Sequence, residues 1–462
     1  MSINTSKHVA VLAFPSSSHP KTMMDLLLKL SNSAPHILFS FFSTQKSNES
    51  LLSSYSDDLQ LPSNIKIYDV EDGVPMGYQF TGKPHEQVNL FLKAAPEILT
   101  RRIETVVAET GMKISCIISD AFLTFSGEIA DKFDASWVAL WVAFPTSLSA
   151  HFYTQLIRNK CATQNIGKDE LLDFVPGLSI LRVKDLPAEV LAVGEKESAF
   201  SKELSQIGEK LAKANAVIIN CFEELVPEVI NNDLKSKFIN YLNLGFISMT
   251  LPPPPQLPES DSDATGCLSW LDKQPSKSVA YIAFGTKATL PEKELKALAE
   301  ALEFSKIPFL WSLKENLKEK LPNGFVERTS KQGKIVAWTP QTLVLAHDSV
   351  AIFISHAGFN SVCESIVYGV PMICRPVFGD HMTMARMVEV GWEIGVTVED
   401  GVITKIGLLK ILEMFFQDDD DGKVKKMREN VHQLKKVVLM AALPGCAAAK
   451  DFNKLTGIIS MV

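Results

Sequence analysis

Three things are scarce in this chain. Basic charge is the first: 46 Lys and Arg stand against 53 Asp and Glu, a formal net charge of −7. That leaves no positive field for a nucleic acid. Paired cysteine spacing is the second. The seven cysteines (Cys116, Cys161, Cys221, Cys267, Cys363, Cys374 and Cys446) are odd in number, and no two stand as C-x-x-C. This excludes a zinc-ribbon pattern, argues against a disulfide framework, and suits reduced thiols in the cytoplasm. Long hydrophobic runs are the third. No apolar stretch approaches the roughly 20 residues that span a bilayer, and "HVAVLAF" at 8–14 is too short for a signal-peptide core. The expectation is a cytoplasmic protein with no nucleic-acid partner and no integral membrane segment.

What is present is alternation. At 462 residues the chain exceeds one core, so two domains are expected. Short runs rich in Val and Ile recur: "HVAVLAF" (8–14), "ISCIISD" (114–120), "AVIINC" (216–221), "SVAYIAFG" (278–285), "KIVAW" (334–338), "VAIFIS" (350–355) and "PMICRP" (371–376). Near-continuous apolar runs predict strands buried on both faces, as in parallel sheets. Between them lie helical patterns such as "EKELKALAEALEFS" (292–305), where Leu295, Leu298, Leu302 and Phe304 form the expected apolar stripe. The class is α/β. The Pro-rich "TLPPPPQLPESDSDATG" (250–266) cannot enter a sheet or helix interior and marks the domain boundary. The acidic run in "QDDDDGKVKK" (417–426) lacks cation-ligand spacing and reads as a solvated loop leading into a helix.

In open parallel sheets ligands bind beyond the carboxyl ends of the strands. Polar groups collect there: His19 after the first run, Asp120, Thr286, Trp338, His356, and Asp380 with His381. The stretch "ISHAGFNSVCES" (354–365) follows a strand and opens a helix whose buried face is Val362, Ile366 and Val367. Gly358 is expected to let the backbone turn closely. The free N–H groups of the helix start, with His356, Asn360 and Ser361, suit a phosphate or diphosphate. Taken alone, Ser361 and Glu364 are better explained by a capping box.

The stretch does not stand alone. Residues 338–381 span 44 positions and resemble the sugar-nucleotide signature box of plant UDP-glycosyltransferases, with Trp338, Pro340, Gln341, Leu345, His347, His356, Gly358, Asn360, Ser361, Glu364, Gly369, Val370, Pro371, Pro376 and Asp380 in register. "SCIISDAF", "SLSAHFY", "SVAYIAFGT" and "PFLWSL" look like the subgroup that glycosylates flavonoids at the 3-hydroxyl. The resemblance implies GT-B architecture, two Rossmann-like domains facing across a cleft. It divides the chain into an acceptor-binding domain at 1–245, a linker at 246–265, a UDP-sugar-binding domain at 266–444 and a C-terminal helix at 445–462 that packs back on the first domain.

The same resemblance implies roles. His19 is the general base and Asp120 its partner. Trp338 stacks on uracil, and Gln341 and Glu364 reach the ribose. Thr286, Ser312, His356, Asn360 and Ser361 lie along the diphosphate. Val142, Phe359, Asp380 and His381 surround the sugar, and Phe14, His85, Phe122, His151, Phe200 and Phe378 hold an aromatic acceptor. No metal and no cofactor are implied, and the partners are a UDP-sugar and a polyphenol bound to a monomer. His85 and Pro187 stand where relatives often have Gln. The box also departs from the common "HCGWN" at Ala357 and Phe359, and it ends in His381 where glucose users carry Gln. A terminal His resembles galactose and rhamnose users. Val142, where relatives carry Thr near the sugar 6-hydroxyl, tips the expectation to UDP-rhamnose, with UDP-galactose and then UDP-glucose behind it. The alternatives of another class are a degenerate binding protein without turnover and a sugar-nucleotide epimerase. The retained His19, Asp120, Glu364 and Asp380 weigh against the binding protein, and the plant-type box against the epimerase.

Overall fold

The apolar runs form parallel strands in a computed structural model that describes residues 6–16, 18–55, 60–82, 85–164, 166–251, 263–416 and 422–461. The chain divides into two units, Met1–Met249 with Ala441–Val462, and Thr250–Met440. The first carries β1 (Lys7–Leu12), β2 (Ile37–Thr44), β3 (Ile65–Val70), β4 (Cys116–Asp120), β5 (Ser136–Trp141), β6 (Ala216–Ile219) and β7 (Tyr241–Asn243). They are hydrogen-bonded in the order β3-β2-β1-β4-β5-β6-β7. The second carries β8 (Val279–Ala283), β9 (Phe309–Ser312), β10 (Gly333–Val336), β11 (Val350–Ser355), β12 (Met372–Cys374) and β13 (Gly395–Thr397), in the order β10-β9-β8-β11-β12-β13. All pairings are parallel. Both orders are those of doubly wound Rossmann sheets, so each unit has a switch point, at β1/β4 and at β8/β11.

β2 is a strand that an apolar-run search passes over. Ser40 and Ser43 interrupt "ILFSFFST", yet all eight residues are buried. Ser40 Oγ is satisfied by His8 Nε2 at 2.7 Å, which lets a polar side chain sit inside the sheet layer. The helix Glu292–Ser305 forms as its periodicity predicts, with Leu295, Leu298 and Leu302 buried. Phe304 is the exception, 67% exposed. Two residues past Leu302 is about 200° around the helix, so Phe304 points away from the stripe. Ala299 and Ala301 complete the buried face instead.

Leu455 and Ile459 of the C-terminal helix Ala447–Met461 lie in the core of the first unit. Asp451 on that helix accepts a 2.8 Å hydrogen bond from the Asn243 amide. Most of the Pro-rich linker (252–262) and the acidic run (417–421) lie outside the described residues; the helix Gly422–Ala441 follows the latter.

Candidate active site

In the first unit, β1 runs into a turn and then the helix His19–Ser33, so His19 heads a helix beside the switch point. Pairing of β1 with β4 brings Asp120 alongside. His19 Nδ1 donates to Asp120 Oδ2 at 2.7 Å, and the other oxygen, Oδ1, accepts from the Phe122 amide at 2.9 Å. Asp120 is fully buried and the His19 side chain is 13% exposed. With Nδ1 committed to the carboxylate, Nε2 carries the lone pair, and the dyad can take a proton from a hydroxyl.

Aromatic rings enclose this dyad. Phe14 and Phe122 lie 5.2 and 4.7 Å from the His19 ring, and Phe200 stacks on Phe14 at 5.9 Å. His85 touches Phe200 at 5.3 Å. Trp141 bridges Phe122 to His151, which is buried with its pKa pushed down to about 3, first by burial and then by Arg158. His151 Nδ1 has no hydrogen-bond partner among the described residues. Glu203 holds the turn after Asp120 through Thr124 Oγ1 at 2.6 Å and the Phe125 amide at 3.2 Å. No spacing in the sequence links Glu203 to that turn, 79 positions away.

Phe378 belongs to the second unit, with its ring on His381 at 4.6 Å. The Val142 side chain belongs to the hydrophobic core of the first unit, at the end of β5.

In the second unit, β11 leads through His356 into the helix Phe359–Tyr368. Ala357, not Gly358, takes the left-handed conformation, at φ 59°, a cost of order 1 kcal/mol for alanine. Gly358 is the helix N-cap with extended backbone. It is needed for closeness, because a Cβ there would stand 2.4 Å from His356 Nε2. Ser361 is then the third helical residue and cannot cap. Its hydroxyl accepts from Gln341 Nε2 at 3.3 Å, and the same amide donates to Glu364. Gln341 is aimed by Tyr281, whose OH donates to Gln341 Oε1 at 3.1 Å and bonds to Thr339 at 2.7 Å. Tyr281, stacked on Phe353 inside the sheet layer, was hidden by its apolar run. Val362, Ile366 and Val367 are buried, as the pattern predicts.

Asn360 is the second residue of this helix; Thr286 follows β8, which pairs with β11, and Ser312 ends β9, which pairs with β8. The Thr286 carbonyl is gripped by Lys314 Nζ at 2.7 Å. Trp338 is 61% exposed, so it is not a core tryptophan. His381 packs edge-on against His356 at 4.7 Å, and its Nδ1 accepts from the Phe378 amide at 3.3 Å, leaving Nε2–H as the donor. Asp380 precedes it as the N-cap of the helix His381–Arg386. The turn is anchored upstream: buried Arg375 pairs with Glu294 and donates to the Pro376 carbonyl at 2.7 Å.

Burial pushes His356 down to about 4 and, with the neighbouring His356, His381 down to about 3, from an ordinary value of 6.5. Both are neutral at pH 7. The unfolded chain takes up these protons near pH 6.5 and the folded one only below about 4, so stability falls as pH drops through that window. Urea midpoints measured from pH 7.5 downward are expected to decline. The decline should be shallower in His381→Gln, which removes one such proton.

Two doubly wound parallel units, with a His–carboxylate dyad at the switch point of one and a helix start at that of the other, have the architecture of the GT-B class. Residues 178–437 match the family described as UDP-glucoronosyl and UDP-glucosyl transferase. A flavonol 3-O-glucosyltransferase of Arabidopsis thaliana is 45% identical over 97% of this chain and 96% of its own. An anthocyanidin 3-O-galactosyltransferase of Actinidia chinensis var. chinensis is 47% identical over 98% and 97%. The crystal structure of a UDP-glucose:anthocyanidin 3-O-glucosyltransferase in complex with UDP superposes with a TM-score of 0.91, at 44% identity, covering 99% of this chain and all of that one. The chain belongs to this family and is a UDP-glycosyltransferase, similar to the plant flavonoid 3-O subgroup. Among the described residues no helix is long and apolar enough to cross a membrane.

Proposed function

We propose that the protein transfers a hexose from a UDP-sugar to the 3-hydroxyl of a flavonol or anthocyanidin, inverting the anomeric carbon, with UDP-galactose the preferred donor and UDP-glucose second. The observation that carries the chemistry is the 2.7 Å His19–Asp120 bond inside an aromatic wall. A flat acceptor lies against Phe14, Phe122 and Phe200 with its hydroxyl at His19 Nε2, and His151 offers it a further polar contact. As the oxygen attacks sugar C1, its proton passes to Nε2. The bond from C1 to the diphosphate oxygen breaks, and UDP leaves with the electron pair. Asp120 holds the tautomer and stabilises the imidazolium.

On the donor side, Trp338 stacks on uracil, while Gln341 and Glu364 take the ribose. The helix N–H groups with His356, Asn360, Ser361, Thr286 and Ser312 stabilise the charge of the departing diphosphate. These donors supply the positive potential a metal would otherwise bring, so the reading uses neither metal nor cofactor. Phe359, Asp380 and His381 surround the sugar, and Phe378, on His381, flanks the acceptor. The protein works as a cytoplasmic monomer.

The expectation of UDP-rhamnose finds no support. It leaned on Val142 to rank rhamnose ahead of galactose, and the relatives named above are glucosyl- and galactosyltransferases. His381 remains. Its single Nε2–H, on a ring locked by Phe378 and His356, suits one orientation of a sugar hydroxyl, and galactose differs from glucose only in how the 4-hydroxyl is oriented. The test is competition of UDP-galactose, UDP-glucose and UDP-rhamnose at equal concentration on a flavonol, with product mass and linkage determined. A galactoside is expected as the main product, and His381→Gln should raise the glucoside share. A rhamnoside, or no turnover with any donor, would overturn the proposal. Val142→Thr should leave the product ratio alone and lower stability by about 1–3 kcal/mol in urea unfolding, since it buries a hydroxyl in an apolar core.

A further inference from the structure

Glu189 is a nearly buried carboxylate that the chemistry above leaves unused. It lies on the short helix Ala188–Leu191, with its side chain 11% exposed. The nearby cation that could neutralise it is spent elsewhere. Arg158 donates from Nε to the Val190 carbonyl at 2.8 Å, from Nη2 to the Glu189 backbone carbonyl at 2.9 Å, and from Nη1 to Glu197 Oε1 at 2.8 Å. These bonds clamp the Glu189 backbone and leave its carboxylate to something else. The facing group is His85, whose Nε2 stands 3.7 Å from Glu189 Oε1, beyond hydrogen-bond reach.

His85 connects this carboxylate to the acceptor wall. Its backbone is left-handed, at φ 58°, where it heads the helix Glu86–Thr110, and its ring lies on Phe200. Phe200 is itself held through its amide by Asn89 Oδ1 at 2.9 Å. Ring contacts therefore run from His19 through Phe14 and Phe200 to His85 and on to Glu189. Pro187, two residues earlier, presents no hydrogen-bonding side chain. A carboxylate only accepts, and one this buried is unfavourable until O–H or N–H groups reach it.

We infer that Glu189, with His85, reads the hydroxyl pattern of the acceptor. A flat aromatic acceptor that presents its attacked hydroxyl to His19 donates a phenolic O–H from a distal ring to the Glu189 carboxylate. The site thereby selects polyhydroxylated rings over methylated ones, which have no hydrogen to give. This deepens the acceptor assignment above and rests on it.

The test uses two flavonols identical except for the distal ring, one a free catechol and one its dimethyl ether. They are compared with wild type, Glu189→Leu and Glu189→Gln. A hydrogen bond to a charged acceptor sets the scale at about ten- to a hundredfold. Wild type is expected to prefer the catechol by that factor in kcat/KM, chiefly through KM. In Glu189→Leu the ratio should fall toward one, and Glu189→Gln, whose carbonyl still accepts, should recover part of it. Fluorescence titration should order the dissociation constants for the catechol in the same way. An unchanged ratio in Glu189→Leu, or equal losses on both compounds, would overturn the inference. If wild type bound neither flavonol, the acceptor assignment itself would fall and this inference with it.

Discussion

Replacing His19 by alanine is expected to lower kcat with a flavonol by about 10²–10⁴, the usual contribution of a positioned general base. The hydroxyl would then attack with its proton still in place, because the ring that accepts it, packed against Phe14 and Phe122, is gone. UDP affinity should be unchanged, since the residues assigned to the nucleotide all belong to the other unit. Asp120→Asn should cost less, but still a large factor. An amide can donate as well as accept, so it no longer dictates that His19 Nδ1 carries the hydrogen. Steady-state kinetics paired with calorimetry of UDP binding separates the two effects. Wild-type kcat in His19→Ala would refute the mechanism.

Glu364→Ala is expected to weaken UDP itself, without any acceptor present. A carboxylate that accepts from both ribose hydroxyls makes two charge-assisted bonds, each worth about 1.5–3 kcal/mol, so a loss between about a hundredfold and ten-thousandfold is the scale. The structure adds a second reason for a large effect. Gln341 Nε2 is shared between Glu364 and Ser361, and Tyr281 fixes the other end of that amide. Removing Glu364 frees an amide that the network had aimed. Glu364→Gln should fall between, keeping an acceptor but losing the charge. Calorimetry with UDP alone checks this, and equal affinity in mutant and wild type would remove Glu364 from the ribose.

Much of the molecule was legible in the chain of residues. Near-continuous Val- and Ile-rich runs announced parallel strands, because a strand covered on both faces has no polar side to show. The spacing from Trp338 to His381 carried the nucleotide box, and the residue types at strand ends marked where chemistry should collect. Hydrophobic patterning determines these features because burial is a property of each residue type and its period.

What patterning does not contain is which strand lies beside which. His19 and Asp120 are 101 positions apart and became a dyad only when β1 paired with β4. The same folding packed Val142 into the core of the first unit, turned Phe304 out to solvent, and gave the left-handed conformation to Ala357 while Gly358 became the helix N-cap. It also moved the helix start two residues ahead of Ser361, turning an apparent cap into a partner for Gln341. In each case local preferences allowed more than one answer. Strand order, register and the close approach of His356 to its neighbours selected one, since only that arrangement buries the apolar faces while satisfying the polar groups trapped between them.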